Sequence, residues 1–367
     1  MKKIISVVGT RPNFMKISPI YKAFQKYQDH IVHMICHTGQ HFDKNMSDYF
    51  LRDLDIPEPD YNLGVGSASH AMQTAKIMME FEKVCLKENP DLITVVGDVN
   101  STLACALVAT KIGIRVAHIE AGLRSFDRTM PEEINRILTD QLSDFLFVTE
   151  QSGLDNLNNE GIDINKIFFV GNIMIDSLIH NLPKIKKSNI LNKLKLKKKE
   201  FILLTMHRPN NVDNQHNLKN ILNILNSVQE KIKIIYSIHP RSAERIKQFG
   251  LEKTVERMAN FVRTEPLKYI DFLNLTLNCK AVITDSGGIQ EETTFLGVPC
   301  ITIRENTERP VTVTKGTNLI VGSDKEKIMK ALNKVLKNKW KKGSIPELWH
   351  GKTAERIVKV LRNEYFN

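Results

Sequence analysis

Short apolar runs rich in β-branched residues alternate with helix-like stretches along the whole chain, and this alternation limits the possible folds more than any other feature. Such runs form βαβ units when helices separate them, because two neighbouring parallel strands need a crossover connection. The pattern predicts strands near 3–8, 31–37, 92–96, 115–119, 144–149, 167–170, 201–206, 232–238, 280–284 and 299–303. We therefore predict an α/β protein built on doubly wound parallel sheets.

The strand pattern stops and restarts around a lysine-rich stretch, which indicates two domains. The length of 367 residues supports this, since single domains usually contain about 100 to 200 residues. We predict an N-terminal domain at 1–172 and a C-terminal domain at 173–351, with a ligand cleft at the carboxyl ends of their strands. A helix within 352–367 is expected to pack back on the N-terminal domain.

The net charge of +11 is compatible with a nucleic-acid partner, but its distribution argues against one. The stretch 184–199 alone carries eight lysines and no acidic residue. Lysine clusters without interleaved aromatic residues are typical of solvated surfaces and linkers. We expect an anionic small molecule as the ligand, and no nucleic acid.

The cysteines and the N-terminus predict a protein of the cytoplasm. The five cysteines are odd in number and widely spaced, which is typical of reduced thiols. The first apolar run spans only five residues before Gly9, so no signal peptide or membrane span is predicted. His37 and His41 have a spacing that would bind a metal on a helix, but Thr38-Gly39 indicates a loop, and no metal site is expected.

Carboxylates follow two strands of the N-terminal half and begin the next helix. Asp98 follows the predicted third strand, Glu120 ends the fourth, and Glu132 lies in the first turn of a helix. Asp98 alone would serve equally as a helix cap, and Glu132 would favour the helix dipole and pair with Arg136. Carboxylates gathered at one sheet edge also hold different protonation states and act as acid and base.

Two cations follow the first strand. Arg11 and Lys16 project from the first turns of the helix that begins after Gly9-Thr10. Cations there oppose the helix dipole, so a bound phosphate would compensate them. Two solvated basic residues are the alternative. The dinucleotide fingerprint G-x-G-x-x-G does not occur in the chain.

The C-terminal half repeats the arrangement with histidine and arginine. His207 and Arg208 end one predicted strand, and His239 and Arg241 end the next. A single histidine at a strand end is more often structural than catalytic. Two such pairs that face an acidic edge shift this balance towards a catalytic role.

The segment "TDSGGIQEE" at 284–292 joins a predicted strand to a predicted helix. Ser286, Gly287 and Gly288 would expose backbone N–H groups that hold a phosphate at the positive end of the helix. The alternative is a tight turn that Asp285 or Ser286 caps.

Two glutamates lie further along the same helix. Glu291 and Glu292 point about 100° apart, so only one of them reaches a ligand. One is expected at a sugar hydroxyl, and the other on the surface or in an ion pair. Arg309 adds a cation after the following strand. Cations and backbone donors that face carboxylates suit a diphosphate-linked sugar.

Seven segments occur in the order and approximate spacing of one known family. They are "GTRPNFMK", "GQH", "GDVNSTLA", "HIEAGLRS", "MPEEINR", "TDSGGIQEE" and "RENTERPVTVTKGT". The chain resembles the non-hydrolysing UDP-N-acetylglucosamine 2-epimerases over essentially its whole length. One such segment would be weak evidence, whereas seven in order are highly specific.

The resemblance implies a GT-B-like pair of Rossmann-type domains, a homodimer, and a UDP-sugar that binds without NAD or a metal. It assigns the diphosphate to Arg11, His207, Ser286, Gly287 and Gly288. It assigns the other binding contacts to Glu292 at the ribose, Phe272 near the uracil, and Arg309 and Lys16 in the charged lining.

The resemblance also implies a reaction, the reversible epimerisation of UDP-N-acetylglucosamine at C2 to UDP-N-acetylmannosamine, a precursor of surface polysaccharide. UDP is eliminated across C1–C2, leaves a bound 2-acetamidoglucal, and adds back after C2 is reprotonated on the other face. The catalytic side chains would be Asp98, Glu120, Glu132 and His207, with Arg136 beside the carboxylates. The resemblance leaves open which carboxylate is acid and which is base.

Some members of the family bind substrate at a second, allosteric site. The matching positions here are Gln40, His41, Gln73, Arg208 and His239. Met72 stands where those members have Arg, and Asp43 where Gln is usual, so the chain departs from that pattern.

Other functions remain open at this point. They are a hydrolysing 2-epimerase that releases UDP and N-acetylmannosamine, an epimerase of another UDP-2-acetamido sugar, a GT-B glycosyltransferase, and a sugar-nucleotide binder without catalysis.

Overall fold

Two parallel sheets organise the chain. The structure is a computed structural model, and it describes residues 1–40, 51 and 54–366. Within 1–187 the described elements are β1 (Lys2–Val8), α1 (Arg11–Gln25), β2 (Ile31–His37), β3 (Tyr61–Asn62), α2 (His70–Glu88), β4 (Leu92–Val96), α3 (Asn100–Lys111), β5 (Arg115–Ala121), α4 (Pro131–Leu142), β6 (Phe145–Val148), α5 (Gln151–Asn159), a 3₁₀ turn (Ile164–Lys166), β7 (Ile167–Phe169) and α6 (Ile173–Lys187).

The second part of the chain continues the alternation of strands and helices. Its described elements are α7 (Ile190–Lys193), β8 (Phe201–Thr205), α8 (Pro209–Val212), α9 (Gln215–Gln229), β9 (Lys233–Ser237), α10 (Pro240–Gln248), α11 (Glu252–Glu256), β10 (Phe261–Thr264), α12 (Tyr269–Asn278), β11 (Ala281–Thr284), α13 (Gly287–Leu296), β12 (Cys300–Thr302), α14 (Pro310–Thr314), β13 (Asn318–Ile320), α15 (Lys325–Leu336), α16 (Thr353–Leu361) and a π-helical turn (Arg362–Phe366).

Both sheets are doubly wound. Among the described residues the first has the order β3-β2-β1-β4-β5-β6-β7 and the second β10-β9-β8-β11-β12-β13, with parallel pairing throughout. The strand order reverses between β1 and β4 in the first sheet and between β8 and β11 in the second. Ligands of such sheets bind at the carboxyl ends of the strands beside this switch point. The predicted fold class is confirmed.

Strand burial explains why these runs form central strands. All five residues of β4 are buried, as expected when helices cover both faces of a parallel sheet. On one face, Ile5 and Val95 pack with Phe81 of α2. In the second sheet, Leu204 packs with Leu222 of α9 in the same way. Each such side chain contributes roughly 1.5 to 3 kcal/mol when it is fully buried.

The chain divides into two compact units, residues 1–180 with 347–367 and residues 181–346. The division at His180 and Asn181 lies inside α6, whereas the predicted domain boundary lies between 172 and 173. A continuous helix crosses this stretch, so composition alone does not mark where one unit ends.

The last residues of the chain belong to the first unit. Trp349 is fully buried, and its indole N–H donates to the carbonyl of Thr149 at 3.0 Å. The Tyr365 hydroxyl donates to the carbonyl of Asp91 at 2.6 Å. The Tyr365 ring also lies against the Arg115 guanidinium, 4.7 Å from the ring centre. The C-terminal segment therefore closes the core of the first unit.

The cysteines are free and buried, as the sequence predicts. None of the helices in the described residues is both long and apolar enough to span a membrane.

We expect Trp349→Ala to lower the free energy of unfolding by about 3 to 5 kcal/mol, because it removes a large buried side chain and leaves the Thr149 carbonyl without its donor. Urea unfolding followed by circular dichroism measures this. Lys359→Ala, on the exposed face of α16, is the control and should change the free energy by less than about 0.5 kcal/mol. Equal effects of the two substitutions would contradict the role assigned to Trp349.

Candidate active site

The switch point of the first sheet brings two carboxylate-bearing turns side by side. Val96 of β4 pairs with Ile119 of β5, and the N–H of Gly97 donates to the Ile119 carbonyl at 3.0 Å. Asp98 directly follows Gly97, and Glu120 directly follows Ile119. Parallel pairing therefore puts both predicted carboxylates at adjacent strand ends.

Glu120 adopts an unusual backbone conformation. Its φ is +76°, and the register shifts between Ile119 and Ala121, which marks a β-bulge. A left-handed conformation costs a residue with a side chain roughly 1 to 3 kcal/mol. Gly122 follows with φ +78°, and a Cβ there would lie 2.4 Å from the carbonyl oxygen of Gly153. The turn is thus built around a glutamate in a strained position, which is typical of functional sites.

Lys16 of α1 forms an ion pair with Glu120. The ammonium contacts Oε2, and the side chains are only 10% and 4% exposed. A carboxylate buried this deeply needs a cation beside it, because an unpaired buried charge is costly. The pair places a carboxylate and an ammonium together at the sheet edge.

Arg136 of α4 holds Asp98 in a different way. Its Nη2 lies 2.6 Å from Oδ2 of Asp98, and the Asp98 side chain remains 31% exposed while that of Arg136 is 3% exposed. Asn135 also donates to the Asp98 carbonyl at 2.9 Å. Asp98 is therefore fixed from one side and open to solvent on another. The structure gives no side-chain cap to α3, so the alternative of Asp98 as its cap is not supported.

The two glutamates that begin α4 have different surroundings. Glu133 is buried and accepts from the Ser125 N–H at 2.9 Å and from the Phe126 N–H at 2.8 Å. It fixes the loop before α4. Glu132 is half-buried, and its carbonyl accepts from Nε of Arg136 at 3.3 Å. Glu132 thus stays the candidate for chemistry and Glu133 is structural.

The switch point of the second sheet holds His207 against a buried carboxylate. Nδ1 of His207 lies 3.0 Å from Oδ1 of Asp285, which is fully buried while the histidine is 35% exposed. The N–H groups of His207 and Arg208 donate to Asp285 Oδ2 at 3.0 and 2.9 Å, and the Asn211 amide does so at 3.0 Å. Asp285 therefore sets both the turn after β8 and the orientation of the imidazole.

The pKa of Asp285 follows from these contacts. Burial raises it, but the hydrogen bond and charge of His207, with the Arg208 N–H and the Asn211 amide, outweigh burial and lower it to about 2. The carboxylate is ionised at neutral pH. An ionised Asp285 accepts from Nδ1 and leaves Nε2 of His207 for a ligand.

The start of α13 is open at Gly288 but covered at Gly287. Ser286 is the N-cap residue, and its side chain makes no capping hydrogen bond. A Cβ on Gly288 would meet no atom within 4 Å, whereas one on Gly287 would lie 2.3 Å from Oε1 of Glu308. The backbone at Gly288 is therefore open to an anion, whereas the Glu308 carboxylate lies against Gly287. The alternative in which Asp285 or Ser286 caps the turn through its side chain is not what the structure shows.

The two glutamates of α13 are both buried. Oε1 of Glu291 lies 2.8 Å from Nη1 of Arg309, so Glu291 forms an ion pair inside the second unit. This fixes Arg309, which the sequence assigns to the charged lining. Glu292 is 3% exposed. Phe272 of α12 is partly buried against the core near Leu275.

The predicted allosteric positions have structural contacts. Oε1 of Gln40 accepts from the Ser101 N–H at 3.1 Å, and Gln73 donates to the Gly66 carbonyl at 2.9 Å. His239 is the N-cap of α10, and its ring lies 5.4 Å from that of His207. The Arg208 N–H binds Asp285, as above, and His41 lies outside the described residues. An allosteric role of this set stays a prediction.

Some site residues escape sequence reasoning. Asp285 suits a helix cap in the sequence, and only the tertiary structure shows that it holds His207. Arg11 is placed as predicted, half-buried in the first turn of α1. The described residues contain no group of three His, Cys, Asp or Glu side chains that could hold a metal ion.

The two Rossmann-type units define a GT-B-like α/β protein. The sequence model described as UDP-N-acetylglucosamine 2-epimerase matches residues 23–362. The chain belongs to the UDP-N-acetylglucosamine 2-epimerase family, as the resemblance in the sequence predicts.

Relatives match over nearly the full chain. A UDP-N-acetylglucosamine 2-epimerase of Methanocaldococcus jannaschii is 46% identical over 98% of this chain and 98% of the relative. A crystal structure of the UDP-GlcNAc 2-epimerase from that organism, in complex with UDP-GlcNAc and UDP, has a TM-score of 0.91 over 99% of this chain and 100% of that one. A UDP-2,3-diacetamido-2,3-dideoxy-D-glucuronate 2-epimerase of Pseudomonas aeruginosa is 41% identical over 90% of this chain and 91% of the relative.

We expect Asp285→Asn to remove a pH-dependent part of the stability. Because the folded-state pKa of Asp285 is lowered to about 2, its carboxylate stabilises the fold above about pH 4, and this contribution is lost as the pH falls towards 2. The free energies of unfolding of wild type and variant should differ by about 2 kcal/mol near neutral pH. The difference should narrow in urea titrations between about pH 4 and about pH 2.

The matched control is Asp176→Asn. Burial raises the pKa of Asp176, and the hydrogen bonds it accepts do not offset this. Ionisation of Asp176 therefore lowers the free energy of unfolding. As the pH falls, the free energy of unfolding of wild type should rise relative to that of this variant. A pH-independent difference for Asp285→Asn would contradict the interaction with His207.

Proposed function

We propose that the protein catalyses the reversible epimerisation of UDP-N-acetylglucosamine to UDP-N-acetylmannosamine without net hydrolysis. The observation that carries this proposal is the pair of carboxylates at adjacent strand ends, each held by its own cation. Asp98 is partly exposed beside Arg136, and Glu120 is buried beside Lys16. Inversion at C2 needs a proton removed from one face and a proton returned to the other, which two separately held carboxylates suit.

The proposed reaction has two halves. A carboxylate takes the C2 proton while the C1–O bond breaks, and UDP departs with the bonding electrons to leave 2-acetamidoglucal. A carboxylic acid then protonates C2 from the opposite face, and the UDP oxygen adds back at C1. Asp98, Glu120 and Glu132 are the candidates for these proton transfers.

Stabilisation of the departing UDP falls to the second unit. The first turn of α13 is open at Gly288 and lies at the positive end of a helix, and Nε2 of the partly exposed His207 is a further donor for an anion. We assign the diphosphate to Ser286, Gly287 and Gly288 with His207. Glu292 is assigned to the ribose and Phe272 to the uracil by the resemblance.

A second candidate substrate is a UDP-2,3-diacetamido-2,3-dideoxy-D-glucuronate. The observation that favours it is the relative named for that activity, which is 41% identical. The C2 chemistry is the same for both sugars, so they differ only in groups at the other positions of the hexose ring. Parallel assays with both UDP-sugars decide between them.

We further propose a place and a role for the reaction, in the cytoplasm and in the supply of nucleotide-sugar precursors of surface polysaccharide. The five free, buried cysteines and the sugar-nucleotide chemistry support this.

The proposed assembly is a homodimer. The resemblance supports it, and so does an apolar stripe on α2, formed by Met72, Met79 and Leu86, which are 54%, 63% and 69% exposed. Their spacing of seven residues puts them on one helix face. Exposed apolar rows of this kind mark protein interfaces.

Sedimentation equilibrium tests the assembly. Wild type should sediment at about twice the 41.9 kDa of one chain, and Met79→Lys should weaken association by at least about tenfold, since it puts a charge into an apolar contact. Ile164→Lys, at a residue 62% exposed outside the stripe, is the matched control. A wild-type monomer at micromolar concentration would contradict the dimer.

The function itself is tested by a combined ¹H and ³¹P NMR time course with UDP-N-acetylglucosamine. We expect UDP-N-acetylmannosamine to accumulate to an equilibrium with no net release of UDP. Free UDP and N-acetylmannosamine in equal amounts would establish the hydrolysing alternative and contradict the proposal.

Variants of the carboxylates refine this test. Asp98→Asn and Glu120→Gln should each lower kcat by about 10²- to 10⁴-fold, because each removes a group that transfers a proton. Asp91→Asn is the control, since Asp91 has the same 31% exposure as Asp98 and precedes the opposite end of β4. It should keep kcat within about threefold of wild type. Full activity of both site variants would contradict their role and show that other groups transfer the protons.

A further inference from the structure

A cluster of buried charges lies beside the candidate carboxylates of the first unit. His118 of β5, Asp140 of α4 and Arg124 of the intervening loop are 0%, 0% and 3% exposed. The proposed chemistry uses none of them. An unpaired buried charge destabilises the folded state. A buried cluster of three ionisable side chains therefore indicates a structural or functional role.

Both ring nitrogens of His118 face an acceptor. Nδ1 lies 2.6 Å from Oδ1 of Asp140, and Nε2 lies 2.8 Å from the carbonyl oxygen of Gly97. A neutral imidazole donates from only one nitrogen and would turn a lone pair towards the other acceptor. An imidazolium donates to both.

Asp140 is the carboxylate in contact with the His118 ring. Its neighbours in register, Val95 on β4 and Leu146 on β6, are apolar, so they neither donate to it nor compete with Asp140. Burial raises the pKa of Asp140, but the charges and hydrogen bonds of His118 and Arg124 outweigh burial and lower it. Asp140 is therefore the anion of the pair.

The cluster joins the elements that carry the candidate catalytic residues. Gly97, whose carbonyl His118 binds, has φ +69° and directly precedes Asp98. The other oxygen of Asp140 accepts from the Gly122 N–H at 3.1 Å, just after the bulge at Glu120. One ion pair thus contacts both turns.

Arg124 completes the link. Its Nη1 lies 2.7 Å from Oδ2 of Asp140, and its Nε and Nη2 each donate at 2.7 Å to the carboxylate of Glu160. Asp140 itself lies on α4, the helix that also carries Arg136. The loop after β5 and α4 are therefore held to the same buried carboxylate.

We propose that His118 and Asp140 are positioning residues for the proton-transfer site. His118 is an imidazolium whose Nε2–H fixes the Gly97 peptide and so the direction of Asp98, while Asp140 fixes the turn that follows Glu120. The inference rests on the proposed function, since it takes Asp98 and Glu120 as the groups that transfer protons.

The first test needs no substrate. Wild-type protein labelled with [¹⁵N]histidine is studied by long-range ¹H–¹⁵N correlation at about pH 8, above the ordinary titration range of histidine near 6.5. His118→Gln assigns the His118 signals by their loss. Both ring nitrogens of His118 should resonate in the protonated range. A signal from an unprotonated ring nitrogen would overturn the imidazolium.

The second test measures positioning. Asp140→Asn keeps the shape of the side chain and removes its charge. We expect kcat per folded molecule to fall about 10- to 100-fold, because a small displacement of catalytic groups costs this much, with KM changed by less than about threefold. Unchanged kcat in folded Asp140→Asn would overturn the positioning role.

Asp176→Asn controls for a general loss of stability. Asp176 is also a buried carboxylate of the first unit, and it accepts from the Ala354 N–H at 2.8 Å. Whatever its effect on the melting temperature, Asp176→Asn should leave kcat per folded molecule unchanged. If Asp140→Asn does not fold, the NMR experiment on wild type still decides the charge of His118. If wild type has no epimerase activity but His118 is doubly protonated, the proposed function is refuted. The positive charge assigned to His118 is then still supported.

Discussion

The parallel pairing of the strands at each switch point is the constraint on which the rest of this structure depends. In the first sheet β4 lies between β1 and β5, so the turns after these three strands meet at one edge. Those turns carry Arg11, Asp98 and Glu120. In the second sheet β8 pairs with β11, which brings His207 to Asp285. Residues far apart in sequence become neighbours because the backbone hydrogen bonds of the paired strands fix which residues lie side by side.

Asp98 and Glu120 are each held by a cation, but at different depths. The contact of Lys16 with Glu120 is buried, whereas that of Arg136 with Asp98 is partly open to water. Partial solvation weakens the second interaction relative to the first. Two similar groups at one edge thus have unequal surroundings. Acid and base roles are usually separated in this manner.

Much of the fold was predictable from the sequence, because long buried strands carry a strong pattern. The predicted runs at 92–96 and 280–284 match β4 and β11 closely. The short strands β3, β10 and β13 were not predicted. They contain two to four residues and lie towards the sheet edges, where periodicity gives little signal.

Only the site residues that lie at strand ends were predictable from the sequence. Asp98 and His207 follow strands and Glu120 lies at the end of β5, and this position separates them from other polar residues. Pairings across the fold were not predictable, because they depend on tertiary contacts. Asp285 suits a helix cap by its sequence and yet orients His207, and Glu291 binds Arg309 inside the second unit.

The central claim is that carboxylates at the edge of the first sheet exchange the proton at C2 of a UDP-sugar. The most direct measurement is ¹H NMR of UDP-N-acetylglucosamine turnover in deuterated water, followed at the C2 position. The account predicts that deuterium from solvent enters C2 of the epimerised sugar, because C2 is deprotonated and then reprotonated on the other face. Epimerised product that keeps its original C2 proton, with no deuterium at that carbon, would contradict it.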